Sequence, residues 1–313
     1  MTAHEGLGRL PAAITDRLRL PVIAAPMLRV SGPELVSACC NAGVIGAFPT
    51  ANARSTAELD EWFAEIAAST SADAPPCAAN IIIRSPRAEA DLEVIARHRV
   101  QVVITSVGSP AGVVAPLHEA GALVLADVAT LTHAQRAVAA GADALILLSA
   151  GAGGQTGWMN PFAFVRAVRA FFDGPIVLAG GISDGHALRA ARVLGCDLAY
   201  MGTRFIAAEE SRAAPEYKQM LVDSTLDDVV LTRAFTGLAT SMLRPSIVAA
   251  GLDPATLDEM VTPESAAVLF GGGASPRRWT DVRSAGHTVS GVDAVRPAAE
   301  IVEQVHTEFT KAE

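Results

Sequence analysis

Aromatic residues are scarce in this 313-residue chain, at 5%, and cations are outnumbered, with 24 Lys and Arg against 33 Asp and Glu for a net charge of −9. A nucleic-acid binder engages phosphates with clustered Lys and Arg, and no such cluster occurs, so that class is excluded. No apolar run of about twenty residues escapes interruption by charge, Pro or Gly. The opening segment Met1 to Leu10 also lacks an apolar leader core. The sequence therefore reads as soluble and cytoplasmic, with no membrane association. Cysteine is rare too. Cys39, Cys40, Cys77 and Cys196 show neither CxxC nor metal-ligand spacing, and each lies in or beside an apolar run. They are expected as buried thiols. The seven histidines are dispersed, with no HExxH or HxH pair, so no metal site is expected. A GxGxxG turn is missing after the first apolar run, which continues into Ala25-Pro26-Met27 and so argues against a dinucleotide-binding open sheet.

What the chain does have is apolar residue content, at half of the total, arranged in a rhythm. Short β-branched runs occur at Pro21 to Ala25, Gly43 to Phe48, Cys77 to Ile83, Val100 to Thr105, Ala122 to Ala126, Ala144 to Leu148, Ile176 to Ala179 and Leu198 to Met201. Continuous apolar runs without polar alternation are what strands buried on both faces look like. Between them lie helical segments at Glu34 to Ala42, Thr56 to Thr70, Arg87 to Arg97, Gly112 to Ala120, Leu131 to Ala140, Pro161 to Phe172 and Asp184 to Leu194. Several stop at the glycine expected just past a helix end: Gly43, Gly121, Gly141 and Gly195. Eight such units predict an α/β fold, a (β/α)8 TIM barrel. After Phe205 the rhythm breaks. Residues 206–282 carry polar helices, Pro245, Pro254, Pro263 and a Gly271-Gly272-Gly273-Ala274-Ser275-Pro276 stretch, with no clear strand run. They are expected to form a mostly helical insertion over the barrel mouth. The barrel would then comprise 1–205 and 283–313, closed by a helix from Val292 to Phe309.

The carboxyl ends of the strands are where a barrel builds its site. The seventh run ends in Ala179-Gly180-Gly181-Ile182 and the eighth in Met201-Gly202-Thr203-Arg204. Glycines let a backbone approach a ligand, and exposed N–H groups at a helix start favour an anion, so two such turns side by side predict a phosphate cradle. Thr203 would add a hydroxyl and Arg204 a charge. The sixth run enters Ser149-Ala150-Gly151-Ala152-Gly153-Gly154-Gln155-Thr156-Gly157, whose backbone from Ala150 to Gly154 is expected to pack against a flat ring while Gln155 points an amide at the substrate. The alternative for this loop is a flexible linker.

Ala25-Pro26-Met27, Asn80, the AGAGG run at 150–154, AGGI at 179–182 and MGTRF at 201–205 together resemble the nitronate monooxygenase (2-nitropropane dioxygenase-like) family. The segment TRAFTGLATSMLRPS, from Thr232 to Ser246, looks like that family's substrate side. The resemblance implies one non-covalent FMN across the barrel mouth, with Ala25, Pro26 and Met27 facing the reactive edge of its ring. Asn80 and Asp127 would hydrogen-bond the flavin or its ribityl chain, and Gly180, Gly181, Gly202 and Thr203 would hold the phosphate. For Asp127 the competing role is a cap on the following helix.

The sequence departs from that family at one telling position, because Gln155 stands where nitronate oxidisers generally carry a histidine. A glutamine amide cannot serve as a general base, although it donates and accepts hydrogen bonds. Catalysis would then rest on Gln155 as an electrostatic group, with His287 of Ser284-Ala285-Gly286-His287-Thr288 as a second candidate that could overhang the mouth. Three readings follow: oxidation of an alkyl nitronate or similar small anion with O2, an NAD(P)H-dependent enoyl or quinone reductase, and a catalytically altered flavin-binding barrel. The apolar helices of the insertion are compatible with a homodimer.

Overall fold

The computed structural model describes residues 8–260 and 280–312; the Gly271 to Pro276 stretch singled out above lies outside them. In chain order its strands are β1 (Val22–Ala24), β2 (Ile45–Pro49), β3 (Ala78–Ile82), β4 (Val102–Ser106), β5 (Leu123–Val128), β6 (Ala144–Leu148), β7 (Gly154–Gln155), β8 (Ile176–Ala179), β9 (Leu198–Met201), β10 (Val229–Thr232) and β11 (Thr240–Leu243). Eight of them, β1 to β6 with β8 and β9, pair in parallel as a closed barrel. Closure is made by β9 returning to β1, with Ile23 opposite Tyr200 and Ala24 opposite Met201. The eight expected runs are the eight barrel strands. Seven helices, among them Pro33–Asn41, Leu131–Ala139 and Gly185–Leu194, fall on the segments between them.

The barrel interior is a layered apolar plug, as strand alternation requires. Ile23, Ile45, Ala47, Ala78, Val102, Ile104, Leu125, Ala144, Ile146, Val177, Ala179 and Leu198 form one buried cluster. Leu10, Ile14 and Leu18 from the segment before β1 belong to the same cluster, so that segment seals the amino end of the barrel. Two residues further along each strand, the same inward face is carried by Ala25, Asn80, Ser106, Asp127, Leu148, Gly181 and Tyr200, which crown the plug at the carboxyl end.

Two expectations need correction. The 206–282 segment does contain helices, at Pro215–Asp223 and Arg244–Ala249, but it also holds the antiparallel hairpin of β10 and β11. Its inner strand pairs with β7, so the hairpin is stitched to the glycine-rich loop. The closing helix runs Ala298–Lys311 rather than from Val292, because Pro297 occupies its N-cap position. A proline further inside would remove an amide and clash with the preceding turn. The four cysteines are free, as expected; three are buried and Cys77 is partly so, with burial pushing the Cys40 thiol up to about 12.

At the sealed end, Asp197 is fully buried. Its carboxylate accepts from the Ile176 amide at 2.8 Å and from the Arg169 guanidinium at 2.5 Å, with Arg9 at 3.3 Å. Removing one partner of a buried pair strands the other. Asp197→Ala is expected to lower the unfolding free energy by about 3–5 kcal/mol in urea titrations.

Candidate active site

Asn80 projects from β3 into the mouth, where its Nδ2 donates to the Ile104 carbonyl at 3.2 Å and to Ser106 Oγ at 3.0 Å. Two strands on, Asp127 has no such support. Its Oδ1 is shut off from solvent without a hydrogen-bond partner among the described residues, and burial raises the carboxyl to about 7. The helix after β5 is capped instead by Thr130, whose side chain accepts from the His133 amide. Capping therefore does not explain Asp127. The nearby Tyr200 packs partly buried against the top of the apolar plug; burial first and the Asp127 charge second push its phenol well above the ordinary range.

The turn after β1 is pinned by residues that the sequence reading passed over. Asn52 Nδ2 donates to the carbonyls of Met27 at 2.9 Å and Ser31 at 2.8 Å, while its Oδ1 accepts from the Arg29 amide at 2.8 Å. The Met27 amide donates to Ser31 Oγ at 3.0 Å. Arg29 adopts φ 62° in this turn, a conformation that costs an ordinary residue and persists here because Asn52 holds it. Only a polar residue just after β2 hinted at this role.

The loop from Ser149 to Gly157 is not a free linker. Ser149 Oγ donates to the Ala179 carbonyl at 2.7 Å, Thr156 Oγ1 to the Ser149 carbonyl at 2.7 Å, and the Thr156 amide to the Ala239 carbonyl at 3.0 Å. Gln155, in β7, lies opposite Thr240 of β11 and is half-buried. From the other side, the His287 amide donates to the Gly151 carbonyl at 2.9 Å and the Gly286 amide to Thr203 Oγ1 at 2.9 Å.

The two glycine turns divide by what surrounds them. Gly180, at φ 109°, would drive a Cβ to 2.7 Å from Ser149 Oγ and 3.0 Å from the Ala152 amide, so it serves the packing of the chain. Gly181, at φ 77°, faces open space, and at Gly202 a Cβ would make only ordinary contact, 3.6 Å from Ala25 Cβ and Met27 Sδ. The amides of Gly181 and Gly202 donate to no acceptor among the described residues. Arg204 does not join them: it is buried, donating to the Ser183 carbonyl at 2.6 Å and to Gln304 Oε1 at 2.5 Å, and so ties the β8 turn to the closing helix.

A nitronate monooxygenase family profile matches residues 87–308. The chain belongs to the nitronate monooxygenase family. It is an oxidoreductase enzyme, and no described helix is long and apolar enough to cross a membrane. Among relatives, it is 32% identical over 245 residues, 77% of this chain and 68% of the other, to (3aS,4S,5R,7aS)-5-hydroxy-7a-methyl-1-oxo-octahydro-1H-indene-4-carboxyl-CoA dehydrogenase of Mycobacterium tuberculosis. It is 28% identical over 287 residues, 78% of each chain, to nitronate monooxygenase of Paraburkholderia phytofirmans. Of solved structures, nitroalkane oxidase from Streptomyces ansochromogenes superposes with a TM-score of 0.77 at 28% identity, covering 96% of this chain and 99% of that one. FabK from Thermotoga maritima superposes with a TM-score of 0.77 at 26% identity, covering 96% and 97%.

The mouth of this family member suits a flavin. Among the described residues Asp127 Oδ1 lacks a partner and the amides of Gly181 and Gly202 donate to none, while the backbone turn at Ala25 to Met27 is pinned by Asn52. No group of His, Cys, Asp and Glu that could hold a metal ion occurs among the described residues.

The unpaired Asp127 also makes a prediction about stability. Its carboxyl titrates at about 7 in the fold and at 3.8 when unperturbed. Between those values the unfolded chain loses the proton first, so stability falls as pH rises through that window and the full penalty applies above it. Asp127→Asn is expected to leave the cofactor-free protein unchanged near pH 3.5. At pH 8 it should raise the unfolding free energy by on the order of 2–4 kcal/mol. An unaltered pH slope in urea titrations counts against the buried, partnerless carboxyl.

Proposed function

We propose that this protein is an FMN-dependent oxidoreductase that oxidises a small carbon acid reaching the site already ionised, an alkyl nitronate or a close analogue, with O2 as the final acceptor. The observation that carries this reading is Gln155. It lies in β7, half-buried and opposite Thr240 of β11, and its amide has no acid-base function at physiological pH. An anionic substrate needs no proton removed. It needs a hydrogen-bond donor for its oxygens, and a neutral amide supplies one without a desolvation penalty for a second charge.

When bound, FMN supplies the two-electron redox chemistry. The residues around it would divide the work of holding it. Ala25, Pro26 and Met27 would support the reactive edge of the ring, with their turn pinned by Asn52. Ala150 and Gly154 would lie along its face, while Asn80 and Asp127 would meet its polar atoms from below. Gly180, Gly181, Gly202 and Thr203 would shape the phosphate end. Gly180 would act through the turn it permits rather than by open space.

A second reading has its own support. An open, mainly apolar groove of about 750 Å³ lies beside Ala150, lined among others by Leu131, Trp158, Met159 and Phe164. Of the residues assigned above to flavin or substrate, Ala150 alone lines it. The relative from Mycobacterium tuberculosis is named for a fused-ring CoA ester. A larger acyl or quinone substrate, with NAD(P)H as redox partner, is the alternative that this kinship favours.

Anaerobic mixing of the purified yellow protein with propyl nitronate, NADH and NADPH separates the two. Bleaching by the nitronate alone is the expected result, and bleaching only by a nicotinamide transfers the assignment to the reductase reading. Gln155→His should add turnover of the neutral nitroalkane, by on the order of 100-fold if the imidazole reaches the α-proton. Gly202→Val is expected to abolish FMN retention in gel filtration. Because Gly202 has ordinary clearance from the protein itself, a fully yellow variant would place the phosphate elsewhere.

A further inference from the structure

His287 was a candidate proton carrier on sequence grounds, yet its surroundings give it a different task. The structure brings it against the glycine loop at Gly151, beside the turn that carries Thr203. Its backbone amide donates to the Gly151 carbonyl at 2.9 Å, and the preceding amide, of Gly286, donates to Thr203 Oγ1 at 2.9 Å. The same segment packs on Gly153, where an added Cβ would stand 2.8 Å from the Gly286 nitrogen and 3.4 Å from Thr203 Oγ1. Gly151 itself is held at φ 88°, and a Cβ there would lie 2.8 Å from His287 Nδ1 and 3.0 Å from Cγ. The loop thus leaves out a side chain where the imidazole sits.

Charge balance at this end of the mouth makes the position informative. A phosphate monoester carries up to two negative charges, and two arginines on neighbouring segments are committed. Arg204 is clasped by Ser183 and Gln304, and Arg283 stacks over the Tyr217 ring at 4.9 Å. The His287 side chain is exposed, and no hydrogen bond or ion pair occupies it among the described residues. Backbone amides at Gly181 and Gly202 offer partial charge only.

We propose that His287 is a ligand for the terminal phosphate of the bound flavin nucleotide, selecting FMN over uncharged riboflavin, and is not the proton carrier of the reaction. The proposal rests on the placement of the phosphate at the Gly181 and Gly202 turns. An imidazole there donates a hydrogen bond to a phosphate oxygen and, when protonated, adds a side-chain cation to the cradle.

The test is titration of the full chain, freed of flavin, with FMN and with riboflavin, followed by quenching of flavin fluorescence. His287→Ala keeps the backbone amide bonded to Gly151, so the loop retains its anchor. The expected result is FMN binding weakened on the order of 10-fold, with riboflavin binding unchanged. Equal weakening of both flavins, or no change in either, overturns the proposal. Gly202→Val, measured alongside, separates the proposal from its premise. If it removes the preference for FMN while His287→Ala does not, the cradle stands and the histidine assignment falls. If neither variant alters the preference, or the parent shows none, the phosphate placement itself fails and the proposal with it.

Discussion

The 2.9 Å hydrogen bond from the Ala25 amide to the Met201 carbonyl extends the β1–β9 ladder one step beyond the strands, and the architecture of the mouth depends on it. That bond joins the first and last turns of the barrel, which are far apart in sequence. It brings Gly202 within van der Waals distance of Ala25 and Met27 once a Cβ is imagined there. A closed barrel has no free edge, so the junction cannot slip by one residue without disturbing every other pair around the ring. The rigidity of Ala25 to Met27 is then completed locally by Asn52 and Ser31.

Above that ring, order is imposed by backbone groups of the loops on one another. The glycine-rich loop bonds to β8 through Ser149, to the hairpin through Thr156 and Gln155, and to the 285–287 segment through Gly151. Three parts of the chain therefore hold one loop of small residues. Such a loop has little side-chain packing of its own. Its precision comes from hydrogen bonds that survive most side-chain changes.

Much of this was legible in the sequence, for reasons that differ by element. The barrel strands announced themselves because strands buried on both faces are continuously apolar, and the helix ends because Gly43, Gly121, Gly141 and Gly195 all take positive φ. The hairpin was hidden. In Val229–Thr232 and Thr240–Leu243 burial does not follow a simple alternation: Leu231 is exposed, and β11 is buried throughout beneath neighbours that only the fold supplies. Gly181 and Gly202 were recognisable as glycines that a ligand would approach. Gly180 in the same motif turned out to be required by Ser149, a contact that local sequence does not encode. Arg204 misled because a charge next to a glycine turn looks like a ligand, whereas its long side chain reaches back to Gln304 on the last helix. Asn52 was missed since a single asparagine after a strand carries no pattern.

The turn before β1 has one more effect. With Leu10, Ile14 and Leu18 packed beneath the apolar plug, the barrel is closed from below: the amino end bears on stability, and contact with a ligand falls to the carboxyl rim.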